Sequence, residues 1–243
     1  MKLDTVRVDD SFTFIRERRS SHVFKSCVHR WYIYQGHEVF VKFRGKKDRT
    51  PEEMAVHQCV VDELKALFGL RQIGSRVVFD KVEGFGVMQK WWPNLGTLAN
   101  GTNREKWFNE EGLFELLKIA VLDHVVGNTD RTKSNVLVLE DGSLLPIDEE
   151  SVFYAHPERR GPWAQFHGEL NQEMHGCYLR HRVKFEDYVQ GLLQKVKEIL
   201  EVADHPVMKR GNQYTFYDVL HLNATCLKVM AQLAIEQLKG YDS

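Results

Sequence analysis

Apolar and polar positions in the first 90 residues fall into short runs rich in β-branched and aromatic side chains. This predicts strands over residues 11–15, 22–28, 30–35, 37–43, 77–80 and 86–89, with Gln35-Gly36 as a hairpin turn. One helix interrupts them. Residues 51–68 carry Thr50 as N-cap, Pro51 at the first helical position, Glu53 completing a capping box and Gly69 as the stop. Met54, Val60, Val61, Leu64 and Leu67 give that helix a packing face. Beyond residue 93 the pattern turns helical, with Leu113, Leu116, Leu117, Ala120 and Val121 predicting a buried helix over 112–126. Further amphipathic helices are predicted over 185–202 and 217–238. Two apolar runs, 136–139 and 143–147, are joined by Asp141-Gly142 and predict a hairpin with a two-residue turn.

Composition narrows the class without naming a chemistry. A chain of 243 residues with 43% hydrophobic content suits one large domain or two compact lobes. A formal charge of -1 gives no overall attraction to nucleic acid or an anionic membrane. Cys27, Cys59, Cys177 and Cys226 are widely spaced, which predicts reduced structural thiols and a cytoplasmic setting. No apolar signal region or membrane-length apolar run is expected.

The chemistry concentrates in Gly127-Asn128-Thr129-Asp130-Arg131-Thr132-Lys133-Ser134-Asn135 and in Ile147-Asp148. Counting back from a two-residue Asp141-Gly142 turn sets Asn135 opposite Asp148, where opposed Cβ atoms lie about 5 Å apart. An amide oxygen and a carboxylate so placed share a hard cation such as Mg²⁺, with Mn²⁺ as an alternative. Asp130, five residues before Asn135, is placed to orient an attacking hydroxyl and take its proton.

Catalytic Asp, then Asn five residues on, then metal Asp thirteen further is the spacing plan of kinases. In the form Gly-Asn-x-Asp-Arg-x3-Asn, with Asp123 upstream and Ile-Asp downstream, the chain resembles the atypical kinases that include phosphatidylinositol 3-/4-kinases and HipA-type protein kinases. The resemblance implies an α+β, two-lobed protein-kinase-like fold, with residues 1–92 as a small antiparallel-sheet lobe and 93–243 as a mainly helical lobe, binding Mg·ATP between them. It implies an ATP-dependent phosphotransferase acting on a protein Ser or Thr. A phosphatidylinositol kinase and a nucleotide-binding pseudokinase are the alternatives.

Further roles follow from the same resemblance. Lys42, between Val41 and Phe43, corresponds to the strand lysine on the ATP phosphates, although a solvent-facing strand lysine has the same pattern. Arg18 to His22 occupies the phosphate-loop position without glycine, leaving Ser20 and Ser21 as candidate ligands. Glu53, or Glu63, pairs with the lysine. Backbone groups of Gln89, Lys90 and Trp91 form the adenine-binding hinge and Met88 lines the adenine pocket, while the Trp91 and Trp92 side chains serve equally as core or as partner surface. Asp123 braces the catalytic loop, and Arg131 meets phosphate or forms a salt bridge within the lobe. Glu149-Glu150 departs from the His or Asn and Gly that usually follow the metal Asp, so the extra carboxylates either add a metal ligand or repel nucleotide. Arg159 and Arg160 fall where a substrate loop belongs. His156, His167, His175 and His181 match no zinc motif.

Overall fold

The computed structural model describes residues 5–22, 25–44, 50–101, 103–128, 131–149, 152 and 169–195. The chain divides into two compact units, Met1–Glu63 with Gln72–Trp92, and Leu64–Arg71 with Pro93–Ser243.

The first unit is built on a six-stranded sheet in the order β1-β5-β6-β4-β3-β2. Its strands are β1 (Val6–Arg7), β2 (Phe12–His22), β3 (Lys25–Tyr34), β4 (His37–Arg44), β5 (Arg76–Asp80) and β6 (Gly84–Lys90). All neighbours run antiparallel except β1 and β5. Strand alternation sorts the side chains onto two faces. Phe12, Val28, Tyr32, Val39, Val41, Phe43, Val78 and Met88 form a buried cluster on one of them. Lys42 belongs to the other, opposite His29 on β3 and Val87 on β6. Gly86 is required by close approach, since a Cβ there would lie 2.6 Å from the Phe43 ring and 2.7 Å from the Lys42 carbonyl oxygen.

Helix α1 (Pro51–Leu67) begins as its sequence predicts. The Glu53 carboxylate accepts hydrogen bonds from Thr50 N at 2.7 Å and Thr50 Oγ1 at 3.0 Å, and Glu53 N donates to Thr50 Oγ1 at 3.3 Å. Near its end Asp62, buried, accepts from the backbone N–H groups of Ile73, Gly74 and Ser75, each at 2.8 Å, which fixes the chain entering β5. The last turn belongs to the second unit because its partners are there. Lys65 Nζ donates to the Pro146 carbonyl at 2.8 Å, and the Tyr188 hydroxyl donates to the Phe68 carbonyl at 2.9 Å.

The second unit contains α2 (Arg104–Trp107), α3 (Glu110–Val125), α4 (Glu169–Arg180) and α5 (Arg182–Gln194), with an antiparallel three-stranded sheet of β7 (Asn94–Thr97), β8 (Val136–Leu139) and β9 (Leu144–Pro146). Leu116, Leu117, Ile119, Ala120 and Leu122 of α3 are fully buried. Helix α4 packs on α3 and was not expected from the sequence, because only Leu170, Met174, Cys177 and Tyr178 mark its buried face among polar residues. The expected helices 217–238 and the part of 185–202 after residue 195 lie outside the described residues.

Cys27, Cys59 and Cys177 are buried and form no disulfide among the described residues. Burial pushes the Cys59 thiol well above its ordinary range, and burial followed by the nearby Glu110 charge pushes Cys177 up to about 12. Such thiols stay protonated and poorly nucleophilic at neutral pH.

Two expectations arise from this packing. Gly142 has φ 84°, and a Cβ there would lie 2.6 Å from the Lys106 carbonyl oxygen. Gly142→Ala should therefore cost at least about 1 kcal/mol of folding free energy, read by urea unfolding. Glu115, on α3, accepts the Leu144 N–H at 2.9 Å; burial raises its pKa and that hydrogen bond partly opposes the rise. An acid raised in the folded state costs nothing below its unfolded pKa, and its penalty develops as pH rises through the folded value. Glu115→Gln retains the acceptor and should gain stability relative to wild type as pH rises above the ordinary glutamate range, in a pH series of unfolding curves.

Candidate active site

The site starts at the end of α3. Gly127, at φ 61°, takes the left-handed position that terminates the helix, and Asn128 N donates back to the Asp123 carbonyl at 2.7 Å. This is a Schellman ending, so the Gly-Asn of the motif first serves as helix punctuation. Asn128 Nδ2 then donates to Asp123 Oδ1 at 2.8 Å. Asp123 is itself buried and holds the loop to its own helix.

Arg131 is the centre of the arrangement. Its side chain is 1% exposed, and all five N–H groups have acceptors. Nε and Nη2 form a bidentate pair with Asp123 at 2.8 and 2.9 Å, Nη1 donates to the carbonyls of Asn135 and Ile147, both at 2.7 Å, and Nη2 donates also to Glu149 at 3.2 Å. Burial opposes its charge, but Asp123 and then Glu149 more than offset that and hold its pKa above the ordinary guanidinium value. A guanidinium so engaged has no donor left for phosphate. The sequence placed Arg131 among the catalytic groups; the geometry makes it a positioning residue.

Its grip closes on both ends of the β8–β9 hairpin. The hairpin register is one residue away from the expected one: Val136 faces Pro146, Leu137 faces Leu145 and Val138 faces Leu144. Leu139 N donates to Ser143 O and Gly142 N to Leu139 O, both at 2.9 Å, so the loop holds Glu140, Asp141 and Gly142 rather than two residues. Glycine in the left-handed region at its third position is the usual three-residue alternative. Asn135 consequently faces Ile147, whose N–H donates to the Asn135 carbonyl at 3.0 Å, and Asp148 is the next residue on.

Asp148 has φ 63°, a left-handed conformation for a residue with a side chain. That conformation costs about 1–3 kcal/mol and persists only where neighbours impose it. Here the neighbours are Ile147, held through its carbonyl, and Glu149, held through its carboxylate. Asn135 and Asp148 are both half-buried at this end of the hairpin. An amide oxygen and a carboxylate are hard donors of the types Mg²⁺ takes.

Glu149, considered from sequence as a second metal ligand or a source of repulsion, is paired through Oε1 inside the protein. It is 0% exposed and lies 3.1 Å from Lys65 Nζ as well as 3.2 Å from Arg131. Lys65 and Arg131 thus balance Asp123 and Glu149 in one buried network. Lys65 was not singled out from sequence, where it is an ordinary helix lysine between Leu64 and Ala66.

Asp130 and Glu150 lie outside the described residues, as do Arg159, Arg160, His156 and His167. His181 Nε2 lies 2.8 Å from Glu110 Oε2, while Arg180 already pairs with the other oxygen of that carboxylate at 2.5 Å.

In the first unit Lys42 is half-buried on β4, and Glu53 forms the capping box described above. Arg18 to His22 is strand rather than loop, paired residue by residue from Arg18 opposite His29 to His22 opposite Lys25. Arg19 is bound to Glu17 and Glu83. The backbone of Ser20 and Ser21 lies in β2, and their side chains lie outside the described residues. Met88 opposes Val41 and joins the core cluster on the face away from Lys42, so the pocket role expected for it conflicts with strand alternation; Phe85, Val87 and Gln89 are the β6 residues on the lysine's face. Gln89 is buried and its Nε2 donates to Ser75 Oγ at 3.1 Å. Lys90 ends β6 opposite Val39, and the Trp91 N–H donates to the Glu38 carbonyl at 3.0 Å, which removes it from the expected adenine-binding backbone.

No known family model matches the chain, and no curated protein sequence matches it. Among solved structures it is similar to the crystal structure of the Helicobacter pylori proinflammatory kinase CtkA, with a TM-score of 0.54 and 12% identity, over 98% of this chain and 99% of that one. At that identity the likeness speaks to architecture. The chain has an α+β, protein-kinase-like fold with a sheet-based first unit and a mainly helical second unit.

Proposed function

We propose that this chain is an ATP- and Mg²⁺-dependent phosphotransferase of the atypical kinase type, and that its acceptor is a protein Ser or Thr hydroxyl. The observation that carries the reading is the clamped hairpin end, where Arg131 ties the carbonyl of Asn135 to that of Ile147, the residue before the left-handed Asp148, within a kinase-like fold. When bound, the metal would neutralise charge on the transferring phosphoryl group. The residues do the rest. Asn135 and Asp148 would hold the ion, and Asp130 would orient the acceptor hydroxyl. As the acceptor oxygen bonds to the γ-phosphorus and the bond to ADP breaks, the hydroxyl proton passes to Asp130. From the first unit, Lys42 is assigned to the α- and β-phosphates.

Positioning and fixed charge supply most of the rate in such a mechanism. Pairing of Glu149 with Lys65 and Arg131 weakens the pseudokinase alternative, because that carboxylate is neutralised within the protein. A protein acceptor is preferred over an inositol lipid as the first reading to test; among the described residues no helix is long and apolar enough to cross a membrane. The test is transfer of labelled γ-phosphate to the protein itself and to Ser/Thr peptides, beside inositol lipid vesicles. Label on serine or threonine supports the reading, label on lipid alone replaces the acceptor, and no label on any acceptor favours the pseudokinase.

A further inference from the structure

We infer that Lys65 and Glu149 are positioning residues for Asp148, so that the metal hold of the hairpin depends on the last turn of helix α1. The inference rests on the phosphotransferase reading and deepens it. Lys65 Nζ lies 2.8 Å from the Pro146 carbonyl oxygen and 3.1 Å from Glu149 Oε1, and both side chains are 0% exposed. Arg131 adds Ile147 before Asp148 and Glu149 after it. The chain is therefore gripped by two cations on each side of a residue at φ 63°.

The chemistry of the pair argues for a positional role. Full burial of a lysine and a glutamate is costly, and an apolar pair of similar volume commonly gives equal or better stability. What an apolar pair lacks is a directed bond to a specific carbonyl and a specific carboxylate oxygen. Glu149 Oε2 accepts no hydrogen bond among the described residues, so the carboxylate is held through Oε1, where Lys65 and Arg131 converge. Loosening that point would release the turn after Asp148 and let its backbone relax from φ 63° toward an ordinary conformation. Sequence alone gives little hint of this, since Lys65 and Glu149 are 84 positions apart.

The experiment measures ATP binding by calorimetry over a Mg²⁺ series, with urea unfolding alongside, for wild type, Lys65→Met, Glu149→Gln, the double variant and Glu149→Asp. Each single neutralisation leaves an unbalanced buried charge and should lose stability. The double variant restores the balance of Arg131 with Asp123 and should regain most of it. Its Mg²⁺ affinity in the presence of ATP should nevertheless stay about tenfold or more weaker than wild type, the usual effect of removing a partner that orients a metal ligand. Metal-free ATP affinity should be unchanged. Glu149→Asp keeps the charge and shifts the carboxylate, so it should fold and still bind Mg²⁺ more weakly. A folded double variant or Glu149→Asp variant with wild-type Mg²⁺ affinity would overturn the inference while leaving the functional reading in place. Wild-type protein without metal-dependent ATP binding would overturn both.

Discussion

Replacing Arg131 with methionine should cost about 3–5 kcal/mol of folding free energy, the range seen when one member of a buried ion network is removed. The size follows from what remains behind. Asp123 and Glu149 are 2% and 0% exposed, and among the described residues the variant leaves them with the side chains of Asn128 and Lys65 as partners. It also takes the Nη1 donor from the Ile147 carbonyl and one of the two donors from the Asn135 carbonyl, which keeps the Ile147 N–H. Arg131→Lys should recover part of the charge but little of the geometry, because an ammonium has three donors where the network uses five. Urea unfolding measures the effect. A loss under 1 kcal/mol for Arg131→Met would mean that the guanidinium is not the clamp described here, and would return it to the candidates for phosphate contact.

The second large effect concerns chemistry rather than folding. Asp130→Ala should lower phosphoryl transfer by about 10²–10⁴-fold, the usual contribution of a positioned general base. Mg·ATP affinity and the unfolding midpoint should change little, since Asp130 is assigned to the acceptor hydroxyl and not to the metal or the core. That split separates it from Arg131, whose loss should move stability first. Wild-type transfer rates in Asp130→Ala would contradict the assigned base.

The legible parts of this protein were those set by local chemistry. Thr50, Pro51 and Glu53 specify the start of α1 through groups within four residues of each other, and the capping box forms as written. The hairpin at 136–147 was visible in its apolar runs, yet its register was not, because Asp-Gly suits both a two-residue turn and the end of a three-residue one. The difference of one residue moved Asn135 from opposite Asp148 to opposite Ile147. The left-handed backbone at Asp148, the next residue on, is a second feature that strand alternation does not predict.

Longer-range features were less legible for a plain reason. Arg131 was singled out as chemically important, but its five acceptors come from helix α3, the catalytic loop and the residues after β9, so only folding reveals that it faces inward. Glu149 looked anomalous beside a metal aspartate until Lys65 supplied its counter-charge. Met88 was chosen for its place before the hinge, and alternation along β6 put it in the core.

The most direct test is calorimetric titration of Mg·ATP into wild-type protein and an Asp148→Asn variant, with metal-free controls. Metal-dependent binding by wild type that is lost in folded Asp148→Asn is the predicted result, and it would place the ion at the clamped end of the hairpin. Folded wild-type protein that binds no Mg·ATP, or an Asp148→Asn variant that binds it equally well, would contradict the account.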